Sequence, residues 1–158
     1  MRSNITKDNA LSKAMVYCAY RERSSLELVE RLKKWGVNKK DISEILHKLK
    51  AERFIDDIRY TKAFVSGKFR IKKWGRIKIS SVLRAKGIDN ETILIGLNEI
   101  SEELYFECLK KLTEDKINTV KGEPYIVQNK VALYLQRKGY ESGLIWKSIN
   151  ELIDQKFI

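Results

Sequence analysis

The segment Leu83-Arg84-Ala85-Lys86-Gly87-Ile88-Asp89-Asn90 holds the end of one helix and the start of the next. A leucine four residues before a glycine, with an aliphatic residue directly after it, marks a helix ended by a left-handed glycine, because the two apolar side chains meet across the cap. Only glycine takes that backbone without a Cβ penalty. Asp89 then suits the start of the next helix, where its side-chain oxygen accepts from an unpaired N–H of the first turn. The same pattern stands at Gly36 and Gly139, so the three glycines follow one another at intervals of 51 and 52 residues.

The agreement among the three glycines extends over both flanks. Eight before them stand Leu28, Ile79 and Val131, and four before them Leu32, Leu83 and Leu135. Directly after come Val37, Ile88 and Tyr140, then Ile42, Ile93 and Ile145 six after. Leu46, Leu97 and Ile149 stand ten after, and Leu49, Ile100 and Leu152 thirteen after. These spacings trace one helix face on each side of the glycine, with Asn38 and Asp89 as N-caps of the second helix. Each unit carries a third periodic stretch upstream, namely Leu11 to Tyr20, Tyr60 to Phe69 and Leu104 to Leu112. Ser24 with Glu27 forms a capping box, and Pro124 fits a first helical position after the polar stretch Thr113 to Glu123. The expected fold is all-α, with nine helices in three tandem three-helix repeats over 10–55, 56–100 and 101–158, behind a flexible N-terminus at 1–9. Units joined end to end favour an elongated molecule, open to curvature.

Composition agrees with a packed helical protein. Of 158 residues 43% are hydrophobic, which is too apolar for a disordered chain. The longest apolar run, Ala14 to Tyr20, is far short of the roughly 20 residues a membrane span needs, and no secretory leader precedes it. A soluble cytoplasmic protein is expected. Cys18 and Cys108 lie far apart and the single His47 has no partner in sequence, so neither a disulfide framework nor a zinc site is expected, only two buried thiols.

Charge is unevenly spread. The net charge of +11 comes from the first two thirds: thirteen basic against seven acidic residues over 1–55, ten against five over 56–100, and nine against nine thereafter. No acid occurs from Ile58 to Ile88, a stretch holding Arg59, Lys62, Lys68, Arg70, Lys72, Lys73, Arg76, Lys78, Arg84 and Lys86. A solvated helix face normally interleaves Glu with Lys, and here there is none to interleave. An anionic polymer, nucleic acid above all, accounts for such self-repulsion most economically. Tyr60, Phe64, Phe69 and Trp74 fall in the same stretch; Tyr60 and Phe64 suit core packing, and Trp74, between Lys73 and Gly75, suits exposure for base stacking.

Phe54-Ile55-Asp56-Asp57-Ile58-Arg59-Tyr60, Ala63-Phe64-Val65, Gly75-Arg76-Ile77 and Leu83 to Ile88 together resemble the RecX family of bacterial recombinase regulators, as does Arg21-Glu22-Arg23-Ser24-Ser25-Leu26-Glu27-Leu28. The resemblance runs from about residue 10 to 155 and is strongest between 17 and 88. It implies tandem three-helix repeats, no catalytic activity and no cofactor. It further implies docking on the RecA–DNA filament, with inhibition of ATP hydrolysis and strand exchange, in the setting of DNA repair and the SOS response. The expected partners are the RecA filament and single- and double-stranded DNA, with no membrane, for a monomeric chain. Arg59, Lys68, Arg70, Lys72, Lys73, Trp74, Arg76, Lys78, Arg84 and Lys86 are the candidate nucleic-acid or filament contacts. Gly36, Asp56, Asp57, Gly87 and Gly139 are the candidate structural caps.

Enzyme readings fail on residue type. Ser66-Gly67-Lys68 echoes a phosphate-binding loop, but Lys62 and Phe69 stand where Gly and Ser or Thr are required. His47 has no nucleophile or acid to pair with, and Glu102, Glu103 and Glu107 lack the Glu-x-x-His companions of a carboxylate-bridged metal site. The adjacent Asp56 and Asp57 suit a helix start better than a metal. The alternative function is a general DNA-binding or transcription-regulating helical protein. Asn38-Lys39-Lys40 would serve as the start of a recognition helix, whereas Asn90-Glu91 would repel phosphate.

Overall fold

The computed structural model describes residues 5–157. Among them are nine α-helices and no strand: α1 (Lys7–Tyr20), α2 (Ser25–Lys34), α3 (Lys39–Ala51), α4 (Asp57–Arg70), α5 (Arg76–Ala85), α6 (Asn90–Leu97), α7 (Glu102–Thr119), α8 (Pro124–Lys138) and α9 (Ser142–Lys156). The helices fall in threes around the three glycines, as three tandem three-helix repeats. The expected flexible stretch at 1–9 meets a helix from Lys7, because the Thr6 hydroxyl accepts from the Asn9 N–H and starts α1 early. Residues 1–4 of that stretch lie outside the described residues.

The three glycine caps share one geometry. Gly36, Gly87 and Gly139 have φ of 82°, 80° and 97°. The N–H after each glycine donates to the C=O of the leucine four before it, Val37 to Leu32 at 3.1 Å, Ile88 to Leu83 at 3.1 Å and Tyr140 to Leu135 at 3.2 Å. The glycine N–H groups donate to Lys33, Arg84 and Gln136, completing the Schellman pattern. Helix starts are equally local. Ser24, Asn38, Asp89 and Ser101 each accept from the N–H three residues on. Pro124 opens α8.

The repeat positions build the core. All twelve residues at eight before, four before, one after and six after the glycines are buried. Ten after, the pattern holds in the third repeat, where Ile149 is buried beside Ser148, and drifts in the first two, where Leu46 and Leu97 are only half-buried and Ile45 and Gly96 one position earlier are buried. A glycine and a serine on the buried face hide the true period from a hydrophobicity count. The Ser148 hydroxyl donates to Thr113 at 2.7 Å and Thr113 to the Leu109 C=O at 2.7 Å, so both buried hydroxyls are satisfied. Thr113 and Ile117 are buried, and the polar stretch before Pro124 therefore starts as helix and continues to Thr119.

By packing, the chain groups into two compact units: residues up to Ala63 with Leu83–Gly96, and Phe64–Val82 with Leu97 onward. The middle repeat is shared between them. In the first unit, a Cβ on Gly87 would meet the Leu26 side chain at 3.0 and 3.2 Å, adding steric conflict to the strain of a positive φ. Gly87→Val is expected to destabilise the protein by about 2 kcal/mol in urea unfolding. A value indistinguishable from wild type would remove the glycine cap as the cause of the repeat.

Candidate nucleic-acid interface

The turn between α4 and α5, in the second unit, is fixed by the end of α8. Lys73 takes a left-handed φ of 59°, and the Trp74 N–H donates back to the Lys68 C=O at 3.1 Å. Gly75 then donates to the Lys138 C=O at 2.8 Å, and Ile77 to the Gly139 C=O at 2.9 Å. The α8 carbonyls that a helix end leaves unpaired thus find partners in the turn. Tyr140 Oη donates to the Lys73 C=O at 3.0 Å, and Lys138 Nζ to the Lys72 C=O at 3.0 Å. Gly75 is buried against Gly139 so closely that a Cβ would lie 2.4 Å from the Gly139 carbonyl carbon.

This pinned turn displays cations. Arg70, Lys72 and Lys73 are exposed. The Lys68 and Lys78 ammonium groups lie 4.9 and 4.6 Å from the Trp74 ring centroid, within cation–π range. With Lys138 that makes six positive charges on one turn and its flanks, none with a carboxylate partner among the described residues. Ile71, 78% exposed, stands among them. Trp74 is half-buried rather than freely exposed, so it serves to hold two lysines more than to offer an open stacking face.

Arg76, a candidate contact by sequence, has carboxylate partners inside the second unit. Its Nη1 meets Glu141 Oε2 at 3.0 Å and its Nη2 meets Glu102 Oε2 at 2.9 Å, while the guanidinium carbon lies 3.8 Å from the Tyr105 ring centroid. The Tyr105 hydroxyl donates to Glu141 and accepts from the Arg76 N–H at 3.0 Å. Burial disfavours the Arg76 charge, but the Glu102 hydrogen bond and the field of Glu141 outweigh it and raise its pKa. Burial, then the bond to Glu141, pushes the Tyr105 hydroxyl far above the usual tyrosine range. Arg76 thus joins Glu102, Glu141 and Tyr105 within the second unit.

Three more cations are engaged inside the first unit. Arg59 Nε donates to Glu22 at 2.7 Å, Arg84 Nε to the Asn90 side chain at 2.9 Å, and Lys86 Nζ lies 3.9 Å from Glu27. Asp56 caps its own helix, accepting from the Arg59 N–H at 3.0 Å. Asp57 caps another: its carboxylate accepts from the Ser25 N–H at 2.8 Å and the Ser25 hydroxyl at 2.7 Å, at the start of α2. Asn38 is spent on its own helix, accepting from the Asp41 N–H and donating to the Asp41 carboxylate. It is not free to read a base edge.

Sequence reasoning missed Gly75, Lys138, Tyr105 and Glu141. A signal existed for the last. Glu141 occupies the position two after the glycine, where the other repeats place Asn38 and Asp89, and glutamate is a poor cap. It makes no capping bond and gives its carboxylate to Arg76 and Tyr105.

No described group of three or more His, Cys, Asp or Glu residues is arranged to hold a metal, and no described helix is long and apolar enough to cross a membrane. Family models of the first, second and third three-helix domains of RecX match residues 10–49, 56–97 and 102–149. The Regulatory protein RecX of Prosthecochloris aestuarii is 27% identical over 91% of this chain and 93% of its own length. That of Bacillus pumilus is 30% identical over 89% of this chain, which spans about half the length of the Bacillus relatives it matches. The crystal structure of RecX from Lactobacillus salivarius matches with a TM-score of 0.87 at 26% identity, covering 92% of this chain and 96% of that one. A second crystal structure of a regulatory protein RecX matches at 0.83, covering 71% of that chain. With all three domains matched in order over the three repeats, the chain belongs to the RecX family of regulatory proteins.

Proposed function

We propose that the protein regulates the RecA recombinase by docking on the RecA–DNA filament, slowing ATP hydrolysis and strand exchange by binding rather than by catalysis. In this reading it acts in the cytoplasm as a monomer, without a cofactor, and touches both recombinase and DNA. The observation that carries it is the turn around Lys72 and Lys73, six cations on a backbone pinned to α8 in a protein of the RecX family. Lysines supply point charges and Arg70 a bidentate fork for phosphate oxygens. Such contacts position a protein on nucleic acid without reading sequence, which suits a partner assembled on any DNA. The engagement of Asn38 within α3 weighs against a sequence-reading helix-turn-helix.

Salt dependence tests the DNA side. If about six cations meet phosphates, log affinity for duplex DNA falls with log salt at a slope of about −5. Replacing Lys72, Lys73 and Lys78 together by alanine is expected to bring the slope to about −2.5, with helix content retained. An unchanged slope would place the phosphate contacts elsewhere.

A further inference from the structure

The first unit carries an apolar groove that the proposed phosphate contacts do not use. Val16 and Tyr20, four apart and hence on one face of α1, are 73% and 84% exposed. They border an open groove of about 590 Å³ lined also by Tyr17 and by Trp35 at the end of α2. Tyr17 and Trp35 pack edge to face at 6.1 Å. Adjacent large apolar side chains left in water beside a concave surface mark an interaction site.

The rim of the groove is cationic. Lys13, exposed, and Arg23, largely buried, are its two cationic lining residues: Lys13 Nζ lies 5.5 Å from the Trp35 ring centroid, and the Arg23 guanidinium carbon 3.8 Å from that of Tyr17. Arg23 is locked there, its Nε donating to the Tyr17 C=O at 3.1 Å. None of the lining residues is acidic. An occupant should therefore bring an apolar body with negative charge beside it.

We infer that this groove docks an acidic segment of a partner protein, which inserts an aromatic or large aliphatic side chain between Tyr20 and Trp35 and sets a carboxylate against Lys13, beside the Arg23 charge. Tyr, Trp and Arg together are the residue types that dominate binding energy at protein interfaces, and opposite charge across the rim sets register and speeds encounter. A stacked nucleobase is the competing occupant, and the identity of a cross-linked partner separates the two. The inference rests on the recombinase reading, and names the protein-facing surface that the reading requires in addition to the phosphate-facing turn.

Replacing Tyr20 by p-benzoylphenylalanine in the full chain places a photo-cross-linker at the most exposed wall. Irradiated on recombinase filaments assembled on single-stranded DNA, it is expected to cross-link to a recombinase peptide that carries Asp or Glu next to a large apolar residue. The Val16→Glu variant is expected to co-sediment with filaments at least about tenfold more weakly while keeping wild-type affinity for free DNA. A cross-link to DNA, a cross-link to a recombinase segment without acids, or no cross-link from protein that does co-sediment would overturn the groove assignment and leave the recombinase reading standing. Failure of the wild-type protein to co-sediment at all would overturn that reading and this inference with it.

Discussion

Gly75→Ala is expected to destabilise the second unit by about 3 kcal/mol or more, a large effect for one added methyl. The new Cβ would sit 2.4 Å from the carbonyl carbon and oxygen of Gly139 and 2.6 Å from the Tyr140 nitrogen. These are backbone atoms of a helix end and cannot swing aside as a flexible side-chain tip would. Relief requires the turn to lift, which stretches the bonds from Gly75 to Lys138 and from Ile77 to Gly139. Leaving such buried groups unpaired costs about 1 to 3 kcal/mol each. Because the same turn carries Lys72 and Lys73, the loss of stability should come with weakened DNA binding. Urea unfolding followed by circular dichroism measures the first; a midpoint equal to wild type would show that the turn is not seated on Gly139.

Arg76→Ala is the second large effect, and it separates stability from binding. The substitution leaves Glu141 and Tyr105 without the guanidinium that joins them to Glu102, in a site where the arginine side chain is only 21% exposed. Removing one partner of a buried ion pair costs about 3 to 5 kcal/mol. Partial solvation of this cluster lowers the expectation to about 2 to 3 kcal/mol. DNA affinity, compared under conditions where the variant stays folded, is expected to remain within about twofold of wild type, because the guanidinium already has its partners. A large loss of affinity at unchanged stability would return Arg76 to the set of phosphate contacts. Arg76→Lys should recover only part of the stability, since an ammonium cannot reproduce both the fork to two carboxylates and the stacking on Tyr105.

Local rules made most of the fold legible. The glycine caps need only a leucine, a glycine and an apolar residue in fixed register, and the bonds from Val37, Ile88 and Tyr140 follow from that. Helix starts at Asn38, Asp56 and Asp89 are equally short-range. What the sequence hid lies between distant segments. Asp57 reads as a cap for its own helix and instead closes the start of α2, because the carboxylate next to it already fills the local role. Gly75 carries no mark of its neighbour 64 positions away. Arg76 and Lys72 look alike in a charge map; only the tertiary contacts show that one is spent on Glu102 and Glu141 while the other reaches solvent.

Docking on the filament should show itself in single-stranded-DNA-dependent ATP hydrolysis by the RecA of the same organism. With DNA held in excess and this protein titrated in, inhibition is expected at well below one protein per recombinase, a ratio at which competition for DNA cannot act. Undiminished hydrolysis, in a buffer where the protein still binds DNA, would contradict it and leave a helical DNA-binding protein without this partner.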